Sequence, residues 1–123
     1  MNATQKVALV TGATRGIGLE TVRQLAQAGV TTLLAGRDAG RAKEAADKLK
    51  AEGLPVESIT LEVTSADSIR KAVAEVTSTY GKLDILVNNA GIHHVTPIEQ
   101  ETLEEFERTI RVNLYGPFLG IQA

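Results

Sequence analysis

The sequence has no cysteine and no tryptophan, and only two Tyr and two Phe among its 123 residues. Without Cys there is no disulfide framework, no thiol nucleophile and no Cys-based zinc site. So few aromatic rings argue against a base-stacking platform for nucleic acid. Thirteen Lys and Arg against 15 Asp and Glu leave a net charge of −2. The basic residues are scattered, so the electrostatic footprint of a nucleic-acid binder is missing. No apolar run approaches the ~20 residues of a membrane span. The polar start Met1–Lys6 leads straight into a strand pattern rather than a secretory leader. What the chain does have is 43% hydrophobic residues and 11 glycines. That is enough apolar material to offset the ordering entropy, which excludes disorder. The expectation is a cytoplasmic globule, a setting that the absence of Cys permits.

Two hydrophobic periodicities alternate along the chain. Lys6–Gly12 and Val30–Gly36 are short β-branched or leucine-rich runs closed by glycine, the pattern of buried strands. Between them, Arg15–Ala28 places Ile17, Val22, Leu25 and Ala26 on one helical face, and Gly29 stops it. A second helix runs from a cap at Asp38 to Glu52, with Ala42, Ala45, Ala46 and Leu49 inward and Gly53 beyond. Val56–Val63 is the third strand. Ala66–Thr79 is the third helix, with Ile69, Val73 and Val76 on one face. Leu83–Asn88 is the fourth strand. After a loop, Thr102 and Glu105 at capping-box spacing open a last helix carrying Phe106, Ile110, Leu114 and Phe118 to the end of the chain. Four βα units imply an α/β fold with a doubly wound parallel sheet, strand order 3-2-1-4. The switch point, where a ligand crevice is expected, then falls between strands 1 and 4.

Thr11-Gly12-Ala13-Thr14-Arg15-Gly16-Ile17-Gly18 occupies the first strand-to-helix turn. Glycine lets the backbone turn sharply and approach a pyrophosphate, and the helix N-terminus behind it offers N–H groups and positive dipole. The spacing is G-x-x-x-G-x-G, so the G-x-G-x-x-G fingerprint is not met, and the absence of G-K-[ST] excludes a P-loop. By itself such a turn is either a tight β–α connection or a phosphate cradle.

Three motifs in order choose between these. TGATRGIG (11–18), Asn88-Asn89-Ala90-Gly91 after the fourth strand, and Asn113 within VNLYG together resemble the short-chain dehydrogenase/reductase family in its non-extended, carbonyl-reductase-like branch. The extended branch, with its TGxxGxxG loop, fits poorly because this loop has one more residue before its second glycine. The resemblance covers the whole chain and implies a Rossmann-type cofactor-binding half-domain over residues 1–123. Gly12, Thr14, Arg15, Gly16, Ile17 and Gly18 are the implied coenzyme loop. Asn88, Ala90 and Gly91 would line the coenzyme.

An acid about 20 residues past the loop would be Asp38, favouring NAD. In the family, however, the acid that binds the ribose hydroxyls stands at the tip of strand 2, and here that residue is Gly36. A small residue leaves room for a 2′-phosphate, and Arg37 and Arg15 can make charge-assisted bonds to it. Asp38 is then the helix cap, and the coenzyme implied is NADP. The family's Asp-Val after strand 3, which contacts adenine, is here Glu62-Val63.

Asn113 is implied as the catalytic relay residue. A mid-helix Asn is mildly unfavourable, and Pro117, four residues on, has no N–H for the Asn113 carbonyl. A carbonyl freed in this way can hold the water of the family's proton relay. His93 and His94 are neighbours in a loop, point to opposite sides and have no carboxylate at ligand spacing, so they read as surface groups and no metal is expected. Glu99, Glu101, Glu104, Glu105 and Glu107 read as a solvated face.

The family's Tyr and the Lys four residues after it are not found. Tyr80 is followed at that distance by Asp84, and Tyr115 by Leu119. The Ser that orients the carbonyl would lie on a fifth strand. The implied function is therefore an NADP-dependent oxidoreductase acting on a small carbonyl or alcohol, present as its cofactor-binding half and inactive alone. The alternative is a non-catalytic dinucleotide-binding or oligomerisation module. Strand 4, with Ile85 and Val87, is expected to be an edge, and Ile110, Leu114 and Phe118 to be partly uncovered. Such surfaces recruit other chains, so a homo-oligomer is expected.

Overall fold

The alternating pattern folds, in a computed structural model that describes residues 4–92 and 97–123, into one four-stranded parallel sheet. The strands are β1 (Val7–Val10), β2 (Thr31–Gly36), β3 (Val56–Thr60) and β4 (Ile85–Val87). Their spatial order is β3-β2-β1-β4. Val10 stands opposite Leu34 on one side and Val87 on the other, so the carboxyl ends of all the strands reach one rim. The order reverses between β1 and β4, as the sequence predicts for a switch point.

Three helices cover the sheet: α1 (Gly16–Gln27), α2 (Ala39–Ala51) and α3 (Ala66–Tyr80). Val10, Leu34 and Val56 pack under α1 and α2 with Val22, Ala26, Ala42, Ala46 and Leu49. Val7, Leu9, Leu33 and Ile59 pack on the other face under Ala72 and Val76 of α3. This two-faced burial is why the strands read as continuous apolar runs rather than alternating ones. Asp38 caps α2 by accepting from the Arg41 N–H at 3.0 Å, and Ser65 caps α3 through the Ser68 N–H at 3.1 Å. Gly81 ends α3 with φ 76°, the left-handed conformation that glycine adopts without penalty.

Several features depart from what the sequence predicts for these elements, β1 and β4 being shorter than the expected Lys6–Gly12 and Leu83–Asn88. Ile17, expected in the core, is 80% exposed. The buried stripe of α1 is Gly18, Val22 and Ala26, and docking through Gly18 turns Ile17 outward beyond the strand ends. Val73, likewise expected inward, is 41% exposed. β3 also stops at Thr60 rather than Val63. Leu61 still donates to the Gly36 carbonyl at 2.9 Å, but the Ser65 N–H then folds back to the Glu62 carbonyl and starts α3.

The last helix is not continuous. After a 3₁₀ turn at Ile98–Gln100, α4 (Leu103–Ile110) starts with the expected Thr102–Glu105 capping box. It then widens into a π-helical turn over Arg111–Tyr115, where the Gly116 N–H reaches back five residues to the Arg111 carbonyl, before α5 (Gly116–Gln122) resumes. Pro117 has no N–H and a ring that crowds the preceding turn, so it sits where the regular ladder cannot continue. Gly116 is buried against Val63: an added Cβ would stand 2.9 Å from Val63 Cγ2. No helix among the described residues is long and apolar enough to cross a membrane.

Candidate coenzyme site

The rim between β1 and β4 is held by Thr11, whose side chain is buried at the tip of β1. Its hydroxyl oxygen accepts from the Asn89 N–H at 3.0 Å and the Ala90 N–H at 2.9 Å, and donates to the Val87 carbonyl at 3.4 Å. One donor and two lone pairs are thus all used. Asn89 returns the contact, its amide donating to the Gly12 carbonyl at 3.1 Å. A Cβ on Gly12 would stand 2.7 Å from Ala90 Cα, so the two motifs touch backbone to backbone only because residue 12 is glycine. In the sequence the only signal for Thr11 and Asn89 as partners is their place in two motifs at the ends of strands that pair in the fold.

On the other side the loop is fastened to β2, with the Ala13 N–H donating to the Ala35 carbonyl at 3.0 Å. The outer surface of the loop is open. Gly16 has φ 62°, and a Cβ there would meet nothing within 4 Å. Arg15 is the N-cap of α1, yet it makes no side-chain cap bond, and the first turn carries no acidic residue. In this α1 differs from α2, α3 and α4, whose first N–H groups are taken by Asp38, Ser65 and Thr102. An uncapped helix start with its positive dipole is suited to an anion.

Beside this helix start lies an open groove of about 560 Å³ lined by Thr14, Arg15, Arg23, Arg37, Arg41 and Lys48 among others. Arg23 is paired with Glu52, and Arg41 lies 4.0 Å from the carboxylate of Asp38. Among the described residues the guanidiniums of Arg15 and Arg37, both exposed, have no ion-pair partner. Lys48, also at the groove, stands 3.6 Å from the carboxylate of Glu44, which lines the groove as well, so the charge of Arg41 and Lys48 is balanced locally.

The adenine-side pair lies just beyond β3. The Glu62 carboxylate accepts from the Thr64 hydroxyl at 2.9 Å and the Thr64 N–H at 3.3 Å, so it is engaged within its own loop. Val63 faces Gly116 and helps line an apolar cavity of about 250 Å³ between α3 and α5. Asn88 also lines that cavity, and its Oδ1 would stand 3.4 Å from a Cβ on Gly120.

Asn113 is exposed but not idle. Its amide donates to the Ile92 carbonyl at 2.7 Å, and its Oδ1 accepts from the Ile92 N–H at 2.8 Å. This two-bond clasp ties the π-helical turn to the segment just after Gly91. The side chain of Asn113 thus fixes the position of the turn. His93 and His94 lie outside the described residues. Among the described residues no group of three His, Cys, Asp or Glu is placed to hold a metal.

Residues 6–123 match the family model for short chain dehydrogenases. An uncharacterized oxidoreductase of Bacillus subtilis, YxjF, is 41% identical over 118 residues, which is 96% of this chain and 46% of the relative. The crystal structure of a gluconate 5-dehydrogenase from Burkholderia cenocepacia, in complex with NADP and tartrate, superposes with a TM-score of 0.88 at 35% identity, over 95% of this chain and 46% of that one. A metagenomic short-chain oxidoreductase in complex with NADP gives 0.87 at 34% identity, over 96% and 54%. The chain spans about half the length of the relatives it matches.

Proposed function

The chain belongs to the short-chain dehydrogenase family, and from that premise we propose that it is the NADP-binding part, over residues 1–123, of an oxidoreductase acting on a small carbonyl or alcohol. The observation that carries the proposal is the uncapped, acid-free start of α1 beside two unpaired guanidiniums. The N–H groups of the Gly12–Gly18 loop bind the pyrophosphate. Arg15 and Arg37 hold the 2′-phosphate by charge-assisted hydrogen bonds. Glu62 and Val63 flank the adenine side, and Asn88, Ala90 and Gly91 line the middle of the site. The chemistry a bound coenzyme supplies is hydride exchange at its nicotinamide. Asn113, clasped to Ile92, presents its carbonyl to a relay water because Pro117 offers it no N–H. NADP in two similar structures supports the choice of coenzyme, and the absence of Cys permits a cytoplasmic setting.

Calorimetric titration of the chain with NADP⁺ and NAD⁺ tests this reading. NADP⁺ should bind more tightly. Arg37→Ala should weaken it about tenfold or more, as expected for loss of a hydrogen bond between charged groups, while leaving NAD⁺ nearly unchanged. Equal affinities for the two coenzymes would overturn the NADP assignment.

A second reading, an assembling module without catalysis of its own, is favoured by the apolar surface of α4 and α5. Leu114 is 59% and Phe118 61% exposed, on a side of the sheet that ends at β4. Ile85, Val87 and Ile110 are half-buried there. The reading entails a homo-oligomer at micromolar concentration, and a clean monomer by light scattering would remove it.

A further inference from the structure

Gly36 ends β2 and is buried, yet its backbone does not need glycine: its φ lies outside the positive range that five other glycines of the chain adopt. A glycine in an ordinary strand conformation costs entropy and packs nothing, so its presence needs another cause. The cause lies across the rim. A Cβ on Gly36 would stand 2.7 Å from the methyl carbon of Thr14, well inside van der Waals contact, while its next neighbours, Ala42 Cβ at 3.5 Å and the Asp38 carbonyl at 4.0 Å, leave ordinary room. One methyl group therefore decides whether residue 36 can carry a side chain.

The backbone that carries the methyl is held in place. The Ala13 N–H is bonded to the Ala35 carbonyl at 3.0 Å, and Gly12 lies against Ala90 on the opposite side, so the backbone of the loop is held between β2 and β4. Relief must come from rotation of the Thr14 side chain. Threonine carries two heavy atoms on Cβ, so two of its three staggered positions keep a carbon or an oxygen in the disputed space.

We infer that Thr14 is a determinant of coenzyme specificity: its methyl occupies the space that the Cβ of an acidic residue at the tip of β2 would need. In dinucleotide-binding folds that acid is what hydrogen-bonds the ribose 2′-hydroxyl of NAD. Here residue 14 of the phosphate loop and residue 36 of the neighbouring strand exclude it as a pair and keep the groove beside Arg15 and Arg37 free of negative charge from the strand. The inference rests on the coenzyme reading above and adds that changing Gly36 alone does not convert the site.

Six forms of the chain test it: unsubstituted, Gly36→Ala, Thr14→Ala, Thr14→Ala with Gly36→Ala, Gly36→Asp, and Thr14→Ala with Gly36→Asp. Thermal unfolding without coenzyme reads the packing. Gly36→Ala should lower the midpoint by roughly 4 °C or more in the Thr14 background and by much less in the Thr14→Ala background, the non-additivity of residues in contact. Gly36→Ala failing to fold while the double variant folds gives the same support. Equal losses in both backgrounds, or failure of both to fold, would overturn the inference. Calorimetry with NAD⁺ reads specificity. Thr14→Ala with Gly36→Asp should bind NAD⁺ at least about tenfold more tightly than Gly36→Asp alone, and equal affinity again overturns it. Additive stability with intact NADP⁺ binding strikes this inference alone. A chain that binds neither coenzyme in any form strikes the coenzyme reading with it.

Discussion

The two sides of the sheet are built differently. Every residue of β1 and five of the six residues of β2 are buried, and α1, α2 and α3 each bury three or four residues over them. β4 has three residues, all half-buried, and from Leu103 to Gln122 the only buried residue is Gly116. One side is close-packed core; the other leans on it. At the seam between them, Thr11 and Asn89 tie β1 to the segment after β4, bringing Gly12 against Ala90. The difference shows that folding stability and site geometry come from different places: the β3-β2-β1 side supplies the free energy, and a few hydrogen bonds hold the other side in register.

The sharpest way to break this comparison is to remove matched side chains from its two sides. Leu34→Ala, in the fully buried stretch of β2, should cost about 2–5 kcal/mol by denaturant unfolding. Leu86→Ala, half-buried in β4, should cost less than about 2 kcal/mol. Equal losses would mean that the core extends evenly across the sheet. Next in size is the seam. Thr11→Val keeps the shape but leaves the N–H groups of Asn89 and Ala90 without their acceptor, a loss of about 1–3 kcal/mol. Faster amide exchange confined to Asn89–Gly91 would mark the seam as its origin, and Thr11→Ser should restore most of the loss.

Helix caps offer a finer test. Asp38→Ala on the packed side should lower global stability by about 1 kcal/mol. Thr102→Ala on the leaning side should lose helical signal with little change in the global midpoint, because α4 buries no side chain whose loss the whole fold would feel. The smallest effect concerns acid. Asp84 accepts from the Val7 N–H at 2.8 Å and pairs with Lys82 at 3.0 Å, and these hold its carboxyl below the usual carboxylate range. Because the folded-state pKa is lowered, the contribution is present above the unfolded pKa and is lost as the pH falls through the lowered value. Asp84→Asn should flatten that part of the stability-versus-pH curve. An unchanged acid limb would show that this link between β1 and the start of β4 carries no weight.

How much was legible beforehand follows the range of the interactions. The glycine loop could be read as a coenzyme loop because its turn chemistry is local, and Asp38 as a cap because its acceptor lies three residues away. Arg15 and Arg37 could be singled out by their place after two successive strands. Val63 could be named from the motif, but not its contact with Gly116. For Asn113 the sequence pointed to the carbonyl through Pro117, whereas the clasp of its side chain on Ile92 joins residues 21 apart across a loop.

The sequence by itself determined the order of strands and helices, where the first three helices start and stop, and the parallel sheet with its switch point. Those follow from periodicity, caps and glycines, which act over a few residues. Tertiary structure decided the outward turn of Ile17, the π-helical break before Gly116, the saturated hydroxyl of Thr11 and the contest between Thr14 and residue 36 for one space. Each of these depends on chain segments that meet only after the strands have paired. Close packing makes a single methyl group count there, and no local pattern records what it will touch.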